Sequence, residues 1–319
     1  MDENIFQDCY EQWSNKGEGQ PFWSNLAYKY GFVNGEVLRN VFKRERKNRG
    51  IVKHEAIPYN NEIADNPRVA IVDIEMLPML LLGWGLFEQN LGIDQIVSDA
   101  CLLGWAGKFL NEPDIFSDIL TSKEAIKRDP KRIVSSCWNF LSKTNVLIGH
   151  NFLGFDNKLI NTAFLLYDLP PLKFTIIDTL LVAKQNFRFS SNKLKFINQK
   201  LEIRNKYENE GFPLWKSCHQ GDAVALQTML EYNIGDIFAT EELFYKIRPY
   251  VRNFNVALYN SIDKNICPVC GSSNLNTEGF YYTSAGKWQS VRCNDCKCIS
   301  RKKENLLGKN KKKALLINS

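Results

Sequence analysis

The stretch VLIGHNFLGFDNKLI, residues 146–160, joins a β-prone apolar run to a helix-like segment through a short polar turn. It predicts a strand that ends at Gly149 and an amphipathic helix that begins at Asp156. An acid in the first turn of a helix usually stabilises the helix end. Asp156 therefore has two interpretations: it caps this helix, or it meets further carboxylates that arrive from other strand ends and helices.

The segments around this stretch alternate between strand and helix patterns over residues 68–250. Three β-prone runs come first, RVAIVDIE, LLLGWGLF and CLLGWAGK, and the brief turns between them predict antiparallel strands. The remaining pattern, in chain order, is a helical stretch at about 122–143, a strand at 145–149, a helix at about 156–168, the strand FTIID and the helix TLLVAKQN. This order predicts an α/β domain with a mixed sheet and helices on its faces, and the sites of such sheets lie at strand ends.

Length and composition exclude several classes of protein. The chain has 319 residues, of which 44% are hydrophobic and 24% charged, as in globular proteins of one large domain or two. No apolar run approaches the roughly 20 residues of a membrane helix, and the acidic N-terminus lacks the basic-then-apolar order of a signal peptide. We therefore expect a cytoplasmic protein without a membrane partner.

The net charge of +6 is concentrated in residues 301–319, RKKENLLGKNKKKALLINS, which hold seven basic residues and one acid. The rest of the chain is neutral in sum. Such a basic tail either follows a polyanion such as nucleic acid or is a solvated, disordered end.

Two acids lie in the first predicted strand, RVAIVDIE. Asp73 and Glu75 are two residues apart, so they point to the same side of the strand. They follow four apolar residues, which indicates a central, buried strand. Like charges there repel and resist ionisation unless a divalent cation binds between them, and carboxylate oxygens suit magnesium or manganese. The alternative is a pair of acids on an exposed edge strand.

A further acid lies in the segment LEYNIGDIFATEELF, whose apolar residues have helical spacing. Tyr232 and Asp236 are four residues apart, so they share one face of the predicted helix. That face places a phenol beside a carboxylate. The alternative for Tyr232 is an ordinary half-buried aromatic side chain.

Taken together, these segments resemble the three exonuclease motifs of the DEDD superfamily, in its tyrosine type, over roughly residues 68–250. The matching residues are Asp73 and Glu75, then Asn151, Phe155 and Asp156, then Tyr232 and Asp236. The form GHNFLGFD is similar to the second motif of the proofreading domains of family B DNA polymerases. The sequences that link the motifs also resemble those of stand-alone phage and bacterial relatives of these domains.

The resemblance implies a ribonuclease H-like fold and a 3′-5′ exonuclease that uses two Mg²⁺ or Mn²⁺ ions, on DNA rather than RNA. It implies that Asp73 contacts both ions and that Glu75 and Asp236 hold the ion that activates water. Asp156 would hold the other ion, and Tyr232 would orient the attacking water. Four carboxylates suit the two-metal chemistry of phosphoryl displacement.

Other residues of this region have smaller implied roles. By the same resemblance, Asn151 and Phe155 line the substrate groove. Asp178, in FTIIDTLL, is an additional acid at a strand end, and we expect it to cap the helix that begins at Thr179. The sequence after Glu75 lacks the threonine that many relatives have next to this acid. The resemblance therefore does not specify the contacts to the sugar at the substrate end.

The C-terminal region holds five of the nine cysteines. The pairs CPVCG and CNDC predict one structural Zn²⁺ in a zinc ribbon; the ligands are Cys267, Cys270, Cys293 and Cys296. Between the two cysteine pairs, apolar and polar residues alternate as in a β-hairpin that turns around Ala285-Gly286. The ribbon is either a structural clip or a nucleic-acid contact through Tyr281, Trp288 and Arg292.

Near the N-terminus, FWSNLAYKYGFVNGEVLRNVFKRERK resembles a helix-turn-helix. Its basic end, Lys43, Arg44, Arg46 and Lys47, favours contact with DNA. The alternative is a helix pair that serves only its own core.

The predicted organisation is a helical region at 1–50, a linker at 51–67, the ribonuclease H-like domain at 68–250, a zinc ribbon at 265–300 and a basic tail at 301–319. The leading hypothesis is a metal-dependent 3′-5′ exonuclease whose partner is nucleic acid, with no small-molecule organic cofactor. The alternatives are an RNA-directed or structure-selective nuclease and a DNA-binding adaptor around an inactive core. Four intact acids argue against the adaptor.

Overall fold

The structure is a computed structural model, and it describes residues 1–16, 22–33, 35–48, 67–85, 87, 90–204, 211–261 and 263–316. The chain divides into two compact units, Met1–Tyr59 with Asn111–Asp114 and Asn60–Leu110 with Ile115–Ser319. Most of the predicted linker, residues 51–66, lies outside the described residues, as does the side chain of Lys47.

The described residues of the first unit form three helices, α1 (Glu3–Lys16), α2 (Phe22–Lys29) and α3 (Gly35–Asn48). Phe42 of α3 is 2% exposed, and its ring lies 5.3 Å from that of Phe6 and 5.5 Å from that of Trp23. Apolar side chains of all three helices thus enclose one small core, as the sequence pattern of this region indicates.

Among the described residues of the second unit, five strands form the main sheet. They are β1 (Val69–Leu77), β4 (Cys101–Phe109), β5 (Ile115–Ile119), β6 (Val146–Gly149) and β7 (Thr175–Asp178), whereas β2 (Leu80–Leu81) and β3 (Ile96–Ser98) pair only with each other. The order is β5-β4-β1-β6-β7. The pairs β5/β4 and β4/β1 are antiparallel, and β1/β6 and β6/β7 are parallel. The predicted mixed sheet is confirmed, and its central strand is β1.

Helices cover the sheet on both faces. They are α4 (Ser122–Lys127), α5 (Lys131–Leu141), α6 (Asp156–Leu166), α7 (Thr179–Asn186), α8 (Leu194–Lys200), α9 (Phe212–His219) and α10 (Ala223–Ile247). The predicted helical stretch at 122–143 is two helices. It is interrupted at Arg128, which has a left-handed backbone, and Pro130 follows directly before α5.

The prediction for LLLGWGLF was wrong in part, because this run is not a strand of the main sheet. Of its described residues, only Leu80 and Leu81 have strand geometry, and they pair with β3 outside the sheet. Gly83 and Gly85 weaken strand formation because glycine loses the most backbone entropy on ordering and has no side chain to pack. Consequently β1 pairs directly with β4.

The two faces of the sheet have different partners. On one face, Trp105 and Phe109 pack with Phe140 of α5, and ring centres lie 4.8 to 5.2 Å apart. On the other, Ile71 and Ile148 belong to a cluster with Ile237 and other residues of α10. Because strand residues alternate between faces, Asp73 points to the side of Ile71 and therefore toward α10.

The C-terminal segment forms a second sheet of β8 (Leu275–Thr283), β9 (Gly286–Cys293) and β10 (Ile299–Asn305), in the order β10-β9-β8. The hairpin turn is Ser284-Ala285, next to the predicted position. β10 extends this sheet through Asn305, and α11 (Lys309–Lys313) follows, so most of the basic tail is ordered rather than a disordered end. The charged tail is ordered because Asn305 pairs with Trp288 and the Leu306 amide donates to the Lys287 carbonyl.

This second sheet is attached to the main domain by its cysteine end. Cys267, Cys270 and Cys293 belong to the same hydrophobic cluster as Ile237 of α10. The Val256 amide donates to the Pro268 carbonyl at 2.7 Å. The ribbon is therefore packed into the core and is not a separable appendage.

A buried ion pair ties the main sheet to α10. Lys108 Nζ of β4 lies 2.6 Å from Glu241 Oε1, and both side chains are 4% exposed. Lys108 is the cross-strand neighbour of Ile71, two residues before Asp73. Removal of one partner would leave the other charge buried without compensation.

We therefore expect Glu241→Ala to lower the free energy of unfolding by about 3–5 kcal/mol, because Lys108 stays buried with its charge. Urea unfolding followed by circular dichroism measures this. The matched control is Glu231→Ala on the exposed side of the same helix, which should have little effect. Equal destabilisation by both substitutions would contradict the role of the ion pair.

Candidate metal centre

The acids of β1 and α10 meet in the folded chain. Asp73 and Glu75 are partly buried, and Asp236 is 1% exposed. A carboxylate oxygen from each of the three lies within 4.8 Å of those from the other two. Opposite Asp73 and Glu75 on β4 are Ala106 and Gly104. Three negative groups in this space repel one another and provide oxygen ligands for a cation.

Asn233 contacts this group and was missed by the sequence analysis. Its Nδ2 donates to Asp73 Oδ2 at 2.7 Å, and its side chain is 1% exposed. The hydrogen bond restricts the orientation of the Asp73 carboxylate. The signal in the sequence was an amide three residues before Asp236, on the same side of an apolar helix.

Asp156 approaches Asp73 from the start of α6. It is 5% exposed, and burial, followed by the negative charge of Asp73, raises the pKa of its carboxyl to about 8. The helix cap position belongs to Phe155, which makes no side-chain capping bond, so Asp156 is the first helical residue rather than the cap. Asp156 does not belong to the group of three acids, but the charge of Asp73 affects its pKa.

The turn before Asp156 is held by Asp178. The Asp178 carboxylate caps α7 by accepting from the amides of Leu180 and Leu181. The same carboxylate accepts from the amides of Asn151 and Leu153, both at 3.0 Å. The expected cap is thus present, and it also determines the path of the chain that leads to Asp156.

Gly149 and His150 restrict the course of this turn. A Cβ on Gly149 would lie 2.7 Å from the Cβ of Phe152, so the position requires glycine. His150 contacts Thr179 Oγ1 with Nδ1 and the Asn192 carbonyl with Nε2, both at 2.9 Å. Strand β6 is therefore fastened to the start of α7, and the turn between β6 and α6 has one defined course.

The remaining predicted residues of this region lie as follows. Asn151 is exposed, with a left-handed backbone at φ 63°, and Phe155 is 52% exposed in the same turn. Tyr232 is 8% exposed on α10, one turn before Asp236, and its ring meets that of Trp215 edge-on at 6.3 Å. Tyr232 belongs to the hydrophobic cluster of Trp105 and Phe140, whereas Ile237, next to Asp236, belongs to the other cluster.

Residues 114–248 match the model of the RNase_H_2 family, described as the RNase_H superfamily. The matched segment contains Asp156, Tyr232 and Asp236 and begins after β1. With the mixed sheet flanked by helices, the match confirms the predicted fold class. The mixed sheet and its flanking helices have a ribonuclease H-like fold.

Among solved structures, the chain is similar to the family B DNA polymerase from the hyperthermophilic archaeon Pyrobaculum calidifontis, with 15% sequence identity and a TM-score of 0.43. The likeness covers 57% of this chain and 25% of the polymerase chain. No curated protein matches the sequence. Within the described residues, no helix is both long enough and apolar enough to cross a membrane.

Beside the ribonuclease H-like domain, the ribbon gathers four thiols. Sulfur atoms of Cys267, Cys270, Cys293 and Cys296 all lie within 4.8 Å of one another. Gly271 has φ 76°, and its amide donates to the Cys267 carbonyl, which bends the chain around the first pair. All nine cysteines of the chain are free thiols. The arrangement is compatible with a tetrahedral zinc site.

The exposed part of the ribbon carries aromatic rings beside a cation. Tyr281 and Trp288 are cross-strand partners whose rings lie 6.2 Å apart, and the Arg301 guanidinium lies 4.4 Å from the Trp288 ring. Arg301 was missed by the sequence analysis. Arg292 instead forms two hydrogen bonds with Glu278, so its guanidinium is engaged by an acid.

The basic residues of α3 are not equivalent. Lys43 and Arg44 are exposed. Arg46 is partly buried, and its guanidinium lies 4.0 Å from the ring of Trp13 within the same unit. Lys43 and Arg44 therefore present their charges to solvent, whereas Arg46 packs against the core of its unit.

The pKa of Asp156 leads to a prediction for the protein in EDTA. Between pH ~4 and ~8 the folded protein holds a proton that the unfolded chain releases, so stability falls as pH rises through this window. Asp156→Asn removes the effect. We expect the variant to exceed the wild type by at least about 1 kcal/mol at pH 8 and to approach it near pH 4.

Urea unfolding at a series of pH values measures the difference. Asp263→Asn, a substitution at an exposed acid, is the matched control and should not change the pH dependence. A gap between Asp156→Asn and the wild type that is constant with pH would contradict the prediction.

Proposed function

We propose that this protein is a metal-dependent 3′-5′ exonuclease that hydrolyses the phosphodiester bonds of DNA. The observation that carries the proposal is the convergence of Asp73, Glu75 and Asp236 within 4.8 Å on a ribonuclease H-like sheet. The fold and the family match support a nuclease in general. The polarity and the preference for DNA rest on the resemblance of the three motifs to tyrosine-type exonucleases.

The donor set fits two Mg²⁺ or Mn²⁺ ions. The side chains are hard oxygen ligands, and bound cations relieve their mutual repulsion. Burial, followed by the negative charge of Asp73, raises the pKa of the Asp156 carboxyl, and a bound cation would favour its ionised form. When bound, such ions supply the charge that stabilises the attacking and leaving oxygens of a phosphoryl displacement. The proposed ligands are Asp73, Glu75, Asp156 and Asp236.

The chain's own groups have separate roles in this proposal. Asn233 holds the Asp73 carboxylate in one orientation through its amide. Tyr232, on the same helix face as Asp236, orients the attacking water through its hydroxyl. Asn151 and the half-exposed ring of Phe155 line the groove for the substrate end.

The ribbon supports the reaction in two ways under this proposal. One Zn²⁺ on the four thiols keeps the ribbon folded and packed against α10, as the shared hydrophobic cluster favours. The exposed ring of Tyr281 and the partly buried ring of Trp288, with Arg301 beside them, contact nucleic acid. Lys43 and Arg44 of the first unit are proposed as a further phosphate contact.

The central test is digestion of end-labelled DNA and RNA, single- and double-stranded, with and without Mg²⁺ or Mn²⁺. We expect shortening from the 3′ end that requires the metal, and loss of at least about 100-fold in turnover for Asp73→Ala, because a metal ligand is removed. Asp263→Ala is the control for a surface acid. Undiminished cleavage by folded Asp73→Ala, or the absence of cleavage by the wild type, would contradict the proposed function.

The zinc proposal has its own measurement. Purified protein should contain about one zinc per chain, and Cys270→Ser should lower that content. Cys298→Ser is the matched control, since Cys298 is buried nearby but is outside the group of four. Metal analysis that finds no zinc, or iron in its place, would refute the site.

A further inference from the structure

Asn233 of α10 is a neutral polar side chain beside the acids. Its Nδ2 donates to Asp73 Oδ2 at 2.7 Å, and the residue is 1% exposed. An amide donor carries no net charge. The hydrogen bond therefore orients the Asp73 carboxylate and leaves its negative charge for a cation.

The amide oxygen of the same side chain has no such contact. Within the described part of the chain, Asn233 Oδ1 is buried and has no hydrogen-bond partner. Because Oδ1 is bonded to the same carbon as Nδ2, it also lies close to Asp73. A buried acceptor that stays unsatisfied costs free energy. The folded chain thus holds an unsatisfied acceptor next to its group of three acids.

The neighbouring acids limit what can satisfy this oxygen. Ionised carboxylates have only acceptor atoms, so the three acids cannot donate a hydrogen bond to Asn233 Oδ1. A group that satisfies it must bring a proton or a positive charge. A hydrated divalent cation brings both, because Mg²⁺ usually keeps several of its waters when carboxylates bind it, and amide oxygens are themselves hard ligands.

The neutrality of the amide also fits a cation at this place. Further along α10, the acid Glu241 is matched by a lysine, Lys108, in a buried ion pair. A lysine in place of Asn233 would neutralise Asp73 in the same way and would compete with a metal ion for it. A further carboxylate would add to the repulsion between the acids. An amide orients Asp73 and does neither.

We propose that Asn233 is a positioning residue that sets the cation affinity of the metal centre. Its Nδ2 orients the ligand Asp73, and its Oδ1 is satisfied by the hydrated Mg²⁺ or Mn²⁺ ion that the acids bind. The inference rests on the proposed function, since it concerns the same acids. What it predicts is the strength of cation binding, which is measured without nucleic acid.

The test measures cation binding by the full-length protein. Titration with Mn²⁺, followed by the electron paramagnetic resonance signal of the free ion, and with Mg²⁺, followed by calorimetry, gives the dissociation constants. Asn233→Leu removes both the donor and the acceptor and should bind either ion about 10–100-fold more weakly, the usual effect of losing a partner of a metal ligand. Asn233→Ser keeps a smaller group that donates and accepts, so its affinity should lie between those of Asn233→Leu and the wild type.

Asn198 of α8 supplies the matched control. It is 0% exposed, and its Oδ1 is likewise without a partner among the described residues, but its Nδ2 donates to the main-chain carbonyls of Arg204 and Ala239. Asn198→Leu should lower the melting temperature and leave the cation affinity unchanged. Addition of Mg²⁺ to protein in EDTA should then raise the melting temperature of the wild type and Asn198→Leu equally, and that of Asn233→Leu by less, because the rise depends on affinity.

Wild-type cation affinity in Asn233→Leu, or in Asn233→Ser if the leucine variant does not fold, would overturn the inference and leave Asn233 as a structural contact between α10 and β1. An equal loss of affinity in Asn198→Leu would overturn it as well. The proposed function is judged separately. Wild-type protein that binds the ions but does not cleave DNA refutes the function alone, whereas metal-dependent cleavage by the wild type with undiminished cation affinity in Asn233→Leu refutes the inference alone.

Discussion

Repulsion between carboxylates is the constraint on which the rest of this structure depends. Asp73, Glu75 and Asp236 lie within 4.8 Å of one another, and Asp156 is buried beside them. A chain without bound cations resists such an arrangement. The elements that carry the acids are therefore fastened by other means: β1 lies in the middle of the sheet, and Lys108 ties β4 to α10 through a buried ion pair. Asn233 adds a direct hydrogen bond between α10 and Asp73.

The turn before Asp156 depends on the carboxylate of Asp178, which accepts hydrogen bonds from two separate segments. Asp178 caps α7 and also binds the amides of Asn151 and Leu153. Because this single group joins the ends of β6 and β7, the course of the turn follows from the parallel pairing of these strands. Asp178, which lies outside the three motifs, thus helps to determine the position of Asp156.

Helix α10 connects the two candidate metal sites. Its middle carries Asp236, and Ile237 beside it belongs to the hydrophobic cluster that includes the ribbon cysteines. The acids cannot themselves attract a polyanion. Under the proposed function, affinity for nucleic acid comes from surfaces that stand apart from them, such as the ribbon face around Trp288.

The sequence by itself determined the local geometry. Alternation placed Asp73 and Glu75 on one side of a strand, helical spacing placed Tyr232 and Asp236 on one face, and the bounds of β6 and α7 followed from the pattern. Only the tertiary structure decided contacts between distant segments: Asn233 with Asp73, Asp178 with the turn before Asp156, and the ribbon with α10. It also placed LLLGWGLF outside the sheet and paired Arg292 with Glu278. The physical reason is that periodicity reports the direction of a side chain from its own element, whereas its partner depends on which elements pack together.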